Sequence, residues 1–368
     1  MGPKLTPDRI RAIVRVPAAG TAKRRNMTAV FSRCARLGKR QRSEAMHDPS
    51  AHLPVTVFGP DPLLSITIET SGGIDQVHLH PAGQGVWVAR MAAELGAWPT
   101  LCGFLGGETG AVLLPLLEAL PGERRVVHTA GTSGSYVVDR RSGERRLIAN
   151  GPRPAPERHE VDDLVSATCA AAFASEVLVL CNPFPADGLP DEVYEMLAAD
   201  VSAAGVTLIV DLSTPRLDRV LAHRPDLVKL NDWELAEYVH GPVDGHRAID
   251  AARRLLAAGA RAVAVTRADA PVLVLAGEDE AFEIVPPVLP LGFREGCGDA
   301  MTGAIAAGWA RGLTLRQALV LGVAAGSANF LRHGLGTGRR RLVEELASRV
   351  VVRPLTFAAP TGRPAGTD

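Results

Sequence analysis

The feature that most constrains the fold is a regular alternation of short apolar runs with longer amphipathic stretches, between about residues 160 and 266. The short runs are rich in Val, Leu and Ile, as strands buried on both faces are, and the longer stretches repeat apolar residues at helical spacing. This alternation predicts an α/β fold with a mostly parallel central sheet and helices on both faces. Ligand sites in such sheets lie at the carboxyl ends of the strands. The predicted strands are 176–180, 206–212, 226–230 and 262–266, and the predicted helices are 160–172, 190–203, 232–240 and 247–258.

The chain before residue 150 is richer in extended segments than the region that follows. Short β-branched runs predict strands, and one stretch with an apolar stripe predicts a helix between them. The sequence "RRSGER" lies between two extended segments and predicts a hairpin turn. The predicted strands are 55–58, 64–69 and 100–106, the helix is 85–97, and further helices start near 299 and 314.

The composition excludes several classes of function. The chain carries 40 basic and 40 acidic residues, and this balance argues against a nucleic-acid partner for the chain as a whole. Its five cysteines have no metal-ligand spacing, which is typical of a reducing, cytoplasmic compartment. The longest apolar stretch, 318–331, is too short to span a membrane. We therefore expect neither a nucleic-acid nor a membrane partner.

The two ends of the chain differ in composition from the middle. Residues 1–53 contain twelve Lys and Arg against three acids. Such a segment is a transit peptide, a nucleic-acid-binding arm, a disordered extension, or sequence upstream of the true start at Met27 or Met46. We favour the disordered extension, and we expect residues 354–368, rich in Pro, Gly and Thr, to be a disordered tail.

The first candidate site is "GCGD", which stands where a helix is predicted to begin. Closely spaced glycines allow backbone N–H groups to converge on an anion, and the helix adds its positive N-terminal dipole. A carboxylate at Asp299 would then be placed to take a proton from a hydroxyl group during phosphoryl transfer. The alternative is that Asp299 only caps the helix, a frequent role of Asp.

A second candidate site follows the strand at 226–230, in the sequence "KLNDWEL". Asn231 and Glu234 stand three residues apart across a turn from strand to helix, where both side chains can face Mg²⁺ and phosphate. The alternative is a capping box, with Asn231 as the N-cap and Glu234 as its partner.

Two glycine-rich turns, at 83–90 and 103–110, follow early strands and would allow a ligand to approach the backbone closely; they are equally compatible with ordinary turns. The chain has neither a GxGxxG fingerprint in its required context nor a GxxxxGK[ST] motif, so a dinucleotide site and a P-loop are unsupported. His78 and His80 alternate along a predicted strand with no third ligand, and we do not assign them a metal.

Taken together and in order, these motifs resemble those of the PfkB/ribokinase family of carbohydrate kinases. The resemblance covers roughly residues 54–353 and is greatest to the branch of 1-phosphofructokinases and tagatose-6-phosphate kinases. "GQGVWVAR" stands where the family has GGKGxNVA, and "GFLGG" where the family has the same turn. "KLNDWEL" stands for KPNxxEL and "GCGDAMTGA" for GAGDxxxAG, the most specific of these motifs.

The resemblance implies transfer of the γ-phosphoryl group of ATP, with Mg²⁺, to a hydroxyl of a sugar or sugar phosphate. It implies that Asp299 is the catalytic base and that Gly296, Cys297 and Gly298 form an anion hole. It also implies a small β-sheet lid over the acceptor, from strands at 64–69, 76–80 and 124–149, through which a homodimer could form. The implied ATP-side residues are Asn231, Glu234 (also the metal ligand), Thr266, Gly326, Asn329 and Gly336.

The acceptor side departs from the family pattern. Ser65 replaces an Asp that holds sugar hydroxyls, Gln84 replaces a Lys, Trp87 replaces an Asn, and Ser133 replaces an Arg that grips a sugar phosphate. Each lost charge-assisted contact would cost about 1.5–3 kcal/mol. The acceptor is therefore open: Trp87 would favour stacking on a sugar face or a base, and a catalytically weakened binding protein is the competing hypothesis. The implied acceptor-side residues are Ser65, Gly83, Gln84, Trp87, Gly107 and Ser133.

Overall fold

The computed structural model describes residues 53–151, 156–183, 188–268, 270–277, 280–290, 292–332 and 336–355. The predicted leader, apart from residue 53, and the predicted tail beyond residue 355 lie outside these ranges. In the part described, no helix has both the length and the apolar character needed to cross a membrane.

The secondary structure follows the predicted alternation. The strands are β1 (Leu53–Phe58), β2 (Leu63–Ser71), β3 (Ile74–Ala82), β4 (Ala97–Gly106), β5 (Glu123–Thr129), β6 (Ser135–Asp139), β7 (Arg146–Asn150), β8 (Val177–Cys181), β9 (Thr207–Asp211), β10 (Leu227–Asn231), β11 (Ala262–Arg267), β12 (Ala270–Ala276), β13 (Glu280–Val285) and β14 (Val351–Pro354). The helices are α1 (Gln84–Glu94), α2 (Gly107–Glu118), α3 (Arg158–Phe173), α4 (Glu192–Ala204), α5 (Arg216–Leu221), α6 (Asp232–Val239), α7 (His246–Ala258), α8 (Cys297–Ala310), α9 (Leu315–Phe330) and α10 (Arg340–Ala347).

The central sheet has ten strands in the order β14-β13-β12-β11-β10-β9-β8-β1-β4-β5. Every neighbouring pair from β11 to β5 is parallel, and β12, β13 and β14 extend the sheet antiparallel. The chain order reverses at β1, which lies between β4 and β8. In open α/β sheets, ligands bind in the crevice beyond the carboxyl ends of the strands at such a reversal.

Each face of the central sheet carries its own hydrophobic core. Along β8, Val177 and Val179 belong to one apolar cluster, while Leu178 and Leu180 belong to the other. Residues that alternate along a strand point to opposite faces, so a strand covered on both sides must be apolar throughout. This explains why the strands are continuous apolar runs in the sequence.

A separate four-stranded sheet, in the order β3-β2-β6-β7, forms the lid predicted from the resemblance. β6 and β7 pair antiparallel across residues 140–145, which confirms the predicted hairpin turn. One part of the prediction is wrong: residues 124–129 lie in β5, which pairs with β4 at the edge of the central sheet. Extended character alone does not say which of two sheets a strand will join.

Helices α1 and α8 pack closely, and this packing brings the lid side of the molecule to the candidate "GCGD" motif. A Cβ atom at Gly303 would lie 2.3 Å from the carbonyl oxygen of Val88. Trp87 is the neighbour of Val88, and Gly303 is one helical turn after Asp299. The contact therefore brings the predicted acceptor residue Trp87 near the predicted catalytic residue Asp299.

Candidate functional site

The "GCGD" motif forms the first turn of α8. Gly296 is the N-cap residue, in the left-handed region at φ 73°, and no side chain caps this end of the helix. Asp299 is therefore not the cap, and the interpretation that it only caps the helix is wrong. The first N–H groups of a helix have no partner within it, so this end of α8 is suited to bind an anion.

A buried ion pair lies directly beside this turn. Lys229 Nζ lies 2.8 Å from Asp211 Oδ2, and both side chains are almost fully buried. Thr302 donates its hydroxyl hydrogen to the same Oδ2 atom at 2.7 Å. A Cβ atom at Gly298 would lie 2.9 Å from Lys229 Nζ, so the ammonium group is packed against the motif.

The charged side chains of this cluster shift one another's pKa values. The pKa of Asp299 is raised to about 7: burial is the main cause, the carboxylates of Asp211 and Glu234 add to it, and Lys229 opposes it. Burial lowers the pKa of Lys229, but the three carboxylates outweigh burial and hold it above its ordinary value. Lys229 therefore stays charged while Asp299 is poised to exchange a proton near neutral pH.

Asn231 and Glu234 form the capping box that the sequence allowed. Asn231 Oδ1 accepts from the N–H group of Glu234, and Glu234 Oε2 accepts from that of Asn231, both at 2.8 Å. Burial raises the pKa of the Glu234 carboxyl group, and Asp211 adds to this effect, while Lys229 lowers it. A role of this pair toward metal or phosphate stays a prediction.

Three parallel strands bring these groups to the same edge of the sheet. Asp211 ends β9, Asn231 ends β10, and Thr266 of β11 stands directly opposite Asn231 in the register. Sequence reasoning missed Asp211, Lys229 and Thr302. The available signals were an Asp at the end of one apolar strand and a Lys inside the next.

The other residues predicted for the ATP side have different contacts. Asn329 is fully buried and its amide is used within the protein: Nδ2 donates to Glu295 O at 2.8 Å, and Oδ1 accepts from Thr337 N at 3.0 Å. Gly326 packs against Cys297, and Gly336 packs against Trp87. The contacts of Asn329 and Gly326 hold the "GCGD" motif and the residue before it in place. A role of Asn329, Gly326 and Gly336 toward ATP stays a prediction.

Four of the residues predicted for the acceptor side contact neighbouring loops and strand ends around the site. Gln84 accepts from Asn182 N at 2.7 Å and donates to Asp211 O at 3.4 Å. Ser133 is fully buried and accepts from Gly106 N at 3.1 Å, and its predicted role in binding the acceptor stays a prediction. Gly83, at φ 106°, lies against Asp61, and Gly107, at φ 61°, lies against Thr132.

Ser65 and Trp87, the other two predicted acceptor residues, line a cavity of about 330 Å³ between the lid sheet and α1. We call it the acceptor cavity, after the role predicted for these two residues. Three arginines line it, Arg90 from α1 and two from the lid turn, and one of its walls carries His78 and His80. Burial lowers the pKa of His80, and the neighbouring His78 and Arg90 lower it further. The full lining is Ser65, Thr67, Glu69, His78, His80, Pro81, Ala82, Trp87, Arg90, Tyr136, Val138, Arg140 and Arg145.

Comparison with known proteins gives consistent results. The model of the family described as "pfkB family carbohydrate kinase" matches residues 64–341. A 1-phosphofructokinase of Rhodobacter capsulatus is 31% identical over 255 residues, covering 66% of this chain and 77% of the relative. Phosphofructokinase-2 from Escherichia coli, in complex with potassium, superposes with a TM-score of 0.72 at 24% identity, covering 80% of this chain and 98% of the other. Ribokinase of Arabidopsis thaliana, complexed with ribose and ATP, superposes with a TM-score of 0.63 at 20% identity, covering 80% and 98%. The predicted ribokinase-like fold is therefore confirmed.

Proposed function

The chain belongs to the pfkB family of carbohydrate kinases, and from this premise we propose that it transfers the γ-phosphoryl group of ATP to a hydroxyl of an anionic sugar derivative. The observation that carries the proposal is the position of Asp299. Its carboxyl group lies in the first turn of α8, beside a buried ammonium group, with its pKa raised to about 7.

In this proposal Asp299 is the general base. It takes the proton of the acceptor hydroxyl while the hydroxyl oxygen bonds to the γ-phosphorus and the bond from that phosphorus to the ADP oxygen breaks. The products are the phosphate ester and ADP, and the proton passes from Asp299 to solvent. A base with a pKa near the working pH is deprotonated often enough to act and basic enough to take the proton.

The N–H groups of Gly296 and Gly298 would bind the transferring phosphoryl oxygens. The N–H group of Cys297, the third one predicted for the anion hole, donates to Arg294 O at 3.2 Å in this structure and would join them only by giving up that bond. Lys229 lies against Gly298 and contributes a fixed positive charge to the same place. Lys229 and Thr302 both donate to Asp211 Oδ2, so the carboxylate that holds the ammonium group is itself bound to α8, and the charge is in position before the substrate arrives.

The residues present fit a Mg²⁺ ion bound mainly through the nucleotide. The described residues include no cluster of three or more His, Cys, Asp or Glu arranged around a metal. Mg²⁺ in kinase sites is commonly held by one or two carboxylates together with phosphates and water, and Glu234 is the carboxylate best placed for this role. The ion would neutralise phosphate charge when bound.

The acceptor cavity supports an anionic acceptor. The family's phosphate-gripping Lys and Arg are replaced in this chain by Gln84 and Ser133, which bind the backbone. The cavity nevertheless holds three arginines and two histidines against one acid, Glu69. Arginine binds phosphate and carboxylate groups well because its planar fork can donate two parallel hydrogen bonds. In this chain the positive charge of the cavity is therefore supplied by Arg90 of α1 and by Arg140 and Arg145 of the lid turn.

The test is ATP consumption over a panel of sugars, sugar phosphates, sugar acids and nucleosides. We expect turnover with an anionic sugar and much less with its neutral counterpart. Ligand-dependent thermal stabilisation with no ATP consumption anywhere in the panel would contradict the kinase and support a binding protein.

We also propose that the lid mediates a homodimer. Val77 and Leu79 alternate along β3 with the cavity-lining His78 and His80, so they lie on the opposite face of the lid sheet. They are 63% and 48% exposed. A second copy of the lid would cover this apolar face.

A further inference from the structure

The lid turn touches the loop that leads into the anion hole. We call residues 292–296 the anion-hole loop. Arg145 Nε lies 3.6 Å from Glu295 Oε1, and the guanidinium carbon of Arg140 lies 5.2 Å from the centre of the Phe293 ring. Arg140 and Arg145 are the first and last residues of the turn between β6 and β7. The lid is thus held at both ends of this turn.

The anion-hole loop is fixed from its other side by α9. Asn329 Nδ2 donates to the carbonyl oxygen of Glu295 at 2.8 Å, and the N–H group of Phe293 donates to Phe330 O at 2.7 Å. These bonds use the backbone of the loop and leave the side chains of Glu295 and Phe293 directed to the lid. The loop is therefore attached to α9 through its backbone and to the lid turn through the side chains of Phe293 and Glu295.

The same two arginines line the acceptor cavity. Arg145 and Glu295 are 30% and 38% exposed, and at 3.6 Å their contact is loose enough for Arg145 to turn toward an anion. The two lid arginines thus contact the anion-hole loop and would also contact an acceptor bound in the cavity. The loop runs directly into Gly296, the N-cap of α8.

We propose that Glu295 and Phe293 are positioning residues that couple lid closure over the acceptor to the conformation of the anion hole. When the lid closes, its turn braces the loop just before Gly296, and when the lid lifts, the loop loses that support. The coupling is reciprocal: a filled anion hole favours the closed lid by the same free energy. The proposal rests on the kinase function above, because it assigns the loop a role in phosphoryl transfer.

The first test is a double-mutant cycle between Glu295 and Arg145. Glu295→Gln is expected to lower kcat about three- to fivefold, the range of a partly exposed ion pair. We expect KM for ATP to change less than about twofold, since the variant leaves the ATP side intact. Glu295→Asp keeps the charge and should retain most of the activity. In an Arg145→Gln background, Glu295→Gln should have no further effect.

A matched control is the pair of Arg316 and Glu280, which lies at the end of the strands remote from the site. Arg316 Nη2 lies 3.1 Å from Glu280, and its guanidinium carbon lies 4.5 Å from the Phe282 ring centre. Glu280 stands beside Ala276, which pairs with Ala262 at the start of β11, the end remote from the site. Glu280→Gln should leave kcat unchanged.

The second test is amide hydrogen exchange, which does not depend on the acceptor. Glu295→Gln should speed exchange in residues 135–150 and 292–300 and leave β8 and β9 unchanged. Wild-type exchange in these segments, or an equal loss of kcat with and without Arg145, would overturn the proposal. If the wild-type protein phosphorylates no acceptor, the proposed function fails, and hydrogen exchange still decides whether lid and loop are coupled.

Discussion

Lys229 and Asp211 form a buried ion pair, 2.8 Å from Nζ to Oδ2, that joins two adjacent parallel strands beside the first turn of α8. The pair brings a positive charge to Gly298 without exposing it to water, and Thr302 of α8 ties the helix to the same carboxylate. The candidate site is therefore built on the carboxyl ends of β9 and β10 and on the first turns of α8.

Removing Lys229 should be costly for stability. Lys229→Met leaves Asp211 buried without its partner, and breaking a buried pair in this way typically costs about 3–5 kcal/mol. We expect a loss of this size in the free energy of unfolding measured with urea. The double variant Lys229→Met with Asp211→Asn should be less destabilised than the single one, because it no longer buries an unpaired charge. Arg316→Met, which removes an exposed ion pair, is the control and should change stability by no more than about 0.5–1 kcal/mol. An equal loss of unfolding free energy in Lys229→Met and Arg316→Met would contradict this account.

Gly298 should be intolerant of a side chain. Gly298→Ala places a methyl group 2.9 Å from Lys229 Nζ and pushes the ammonium group away from the anion hole. We expect kcat to fall about tenfold or more, the scale of losing one well-placed electrostatic contact. Gly241→Ala is the control, because its Cβ would meet nothing closer than 3.9 Å. Wild-type kcat in Gly298→Ala would show that the position of Lys229 does not matter for transfer.

Much of the fold could be predicted from the sequence, because strands covered on both faces must be apolar throughout. The predicted strand at 206–212 is Thr207–Asp211 in the structure, and the predicted helix at 160–172 is Arg158–Phe173. The Asp299 motif was also found, since its glycines and its acid are neighbours in the chain and need no tertiary contact to be recognised.

The other parts of the candidate site depend on tertiary contacts, which the periodicity of the sequence does not predict. Lys229 and Asp211 are 18 residues apart, and they meet only because β9 and β10 are neighbours in the sheet. Ser133 likewise accepts from the N–H group of Gly106, 27 residues away in the chain, a contact that the motifs do not contain. The arginines of the acceptor cavity come from α1 and the lid turn, and only the tertiary fold brings Arg90 together with Arg140 and Arg145.

Arg90 should set the preference for a charged acceptor. Arg90→Gln removes a guanidinium group from the cavity, and we expect KM for an anionic sugar to rise about tenfold, equivalent to about 1.4 kcal/mol. KM for the neutral sugar and kcat should change little. Steady-state kinetics with the matched pair of acceptors measures this, and an equal change of KM for both acceptors would contradict an anion-binding role.

The lid should govern the oligomeric state. Replacing Val77 and Leu79 by Lys puts two charges on the exposed apolar face of β3, and we expect a dimer to become a monomer. Light scattering after size-exclusion chromatography measures the mass. Val112→Lys, at a 41% exposed position of α2 outside the lid, is the control and should remain dimeric. A monomeric wild-type protein at all concentrations tested would contradict the proposal.

The central claim is that Asp299 is the general base, and the most direct test is the pH dependence of kcat/KM for wild type and Asp299→Asn. Only the deprotonated carboxylate accepts the hydroxyl proton. With its pKa near 7, wild-type kcat/KM should rise about tenfold per pH unit below about pH 7 and level off above it. Asp299→Asn should be slower by about 10²–10⁴-fold and should lack this rise. A variant with the wild-type rate, or with the same rise near pH 7, would show that Asp299 is not the base.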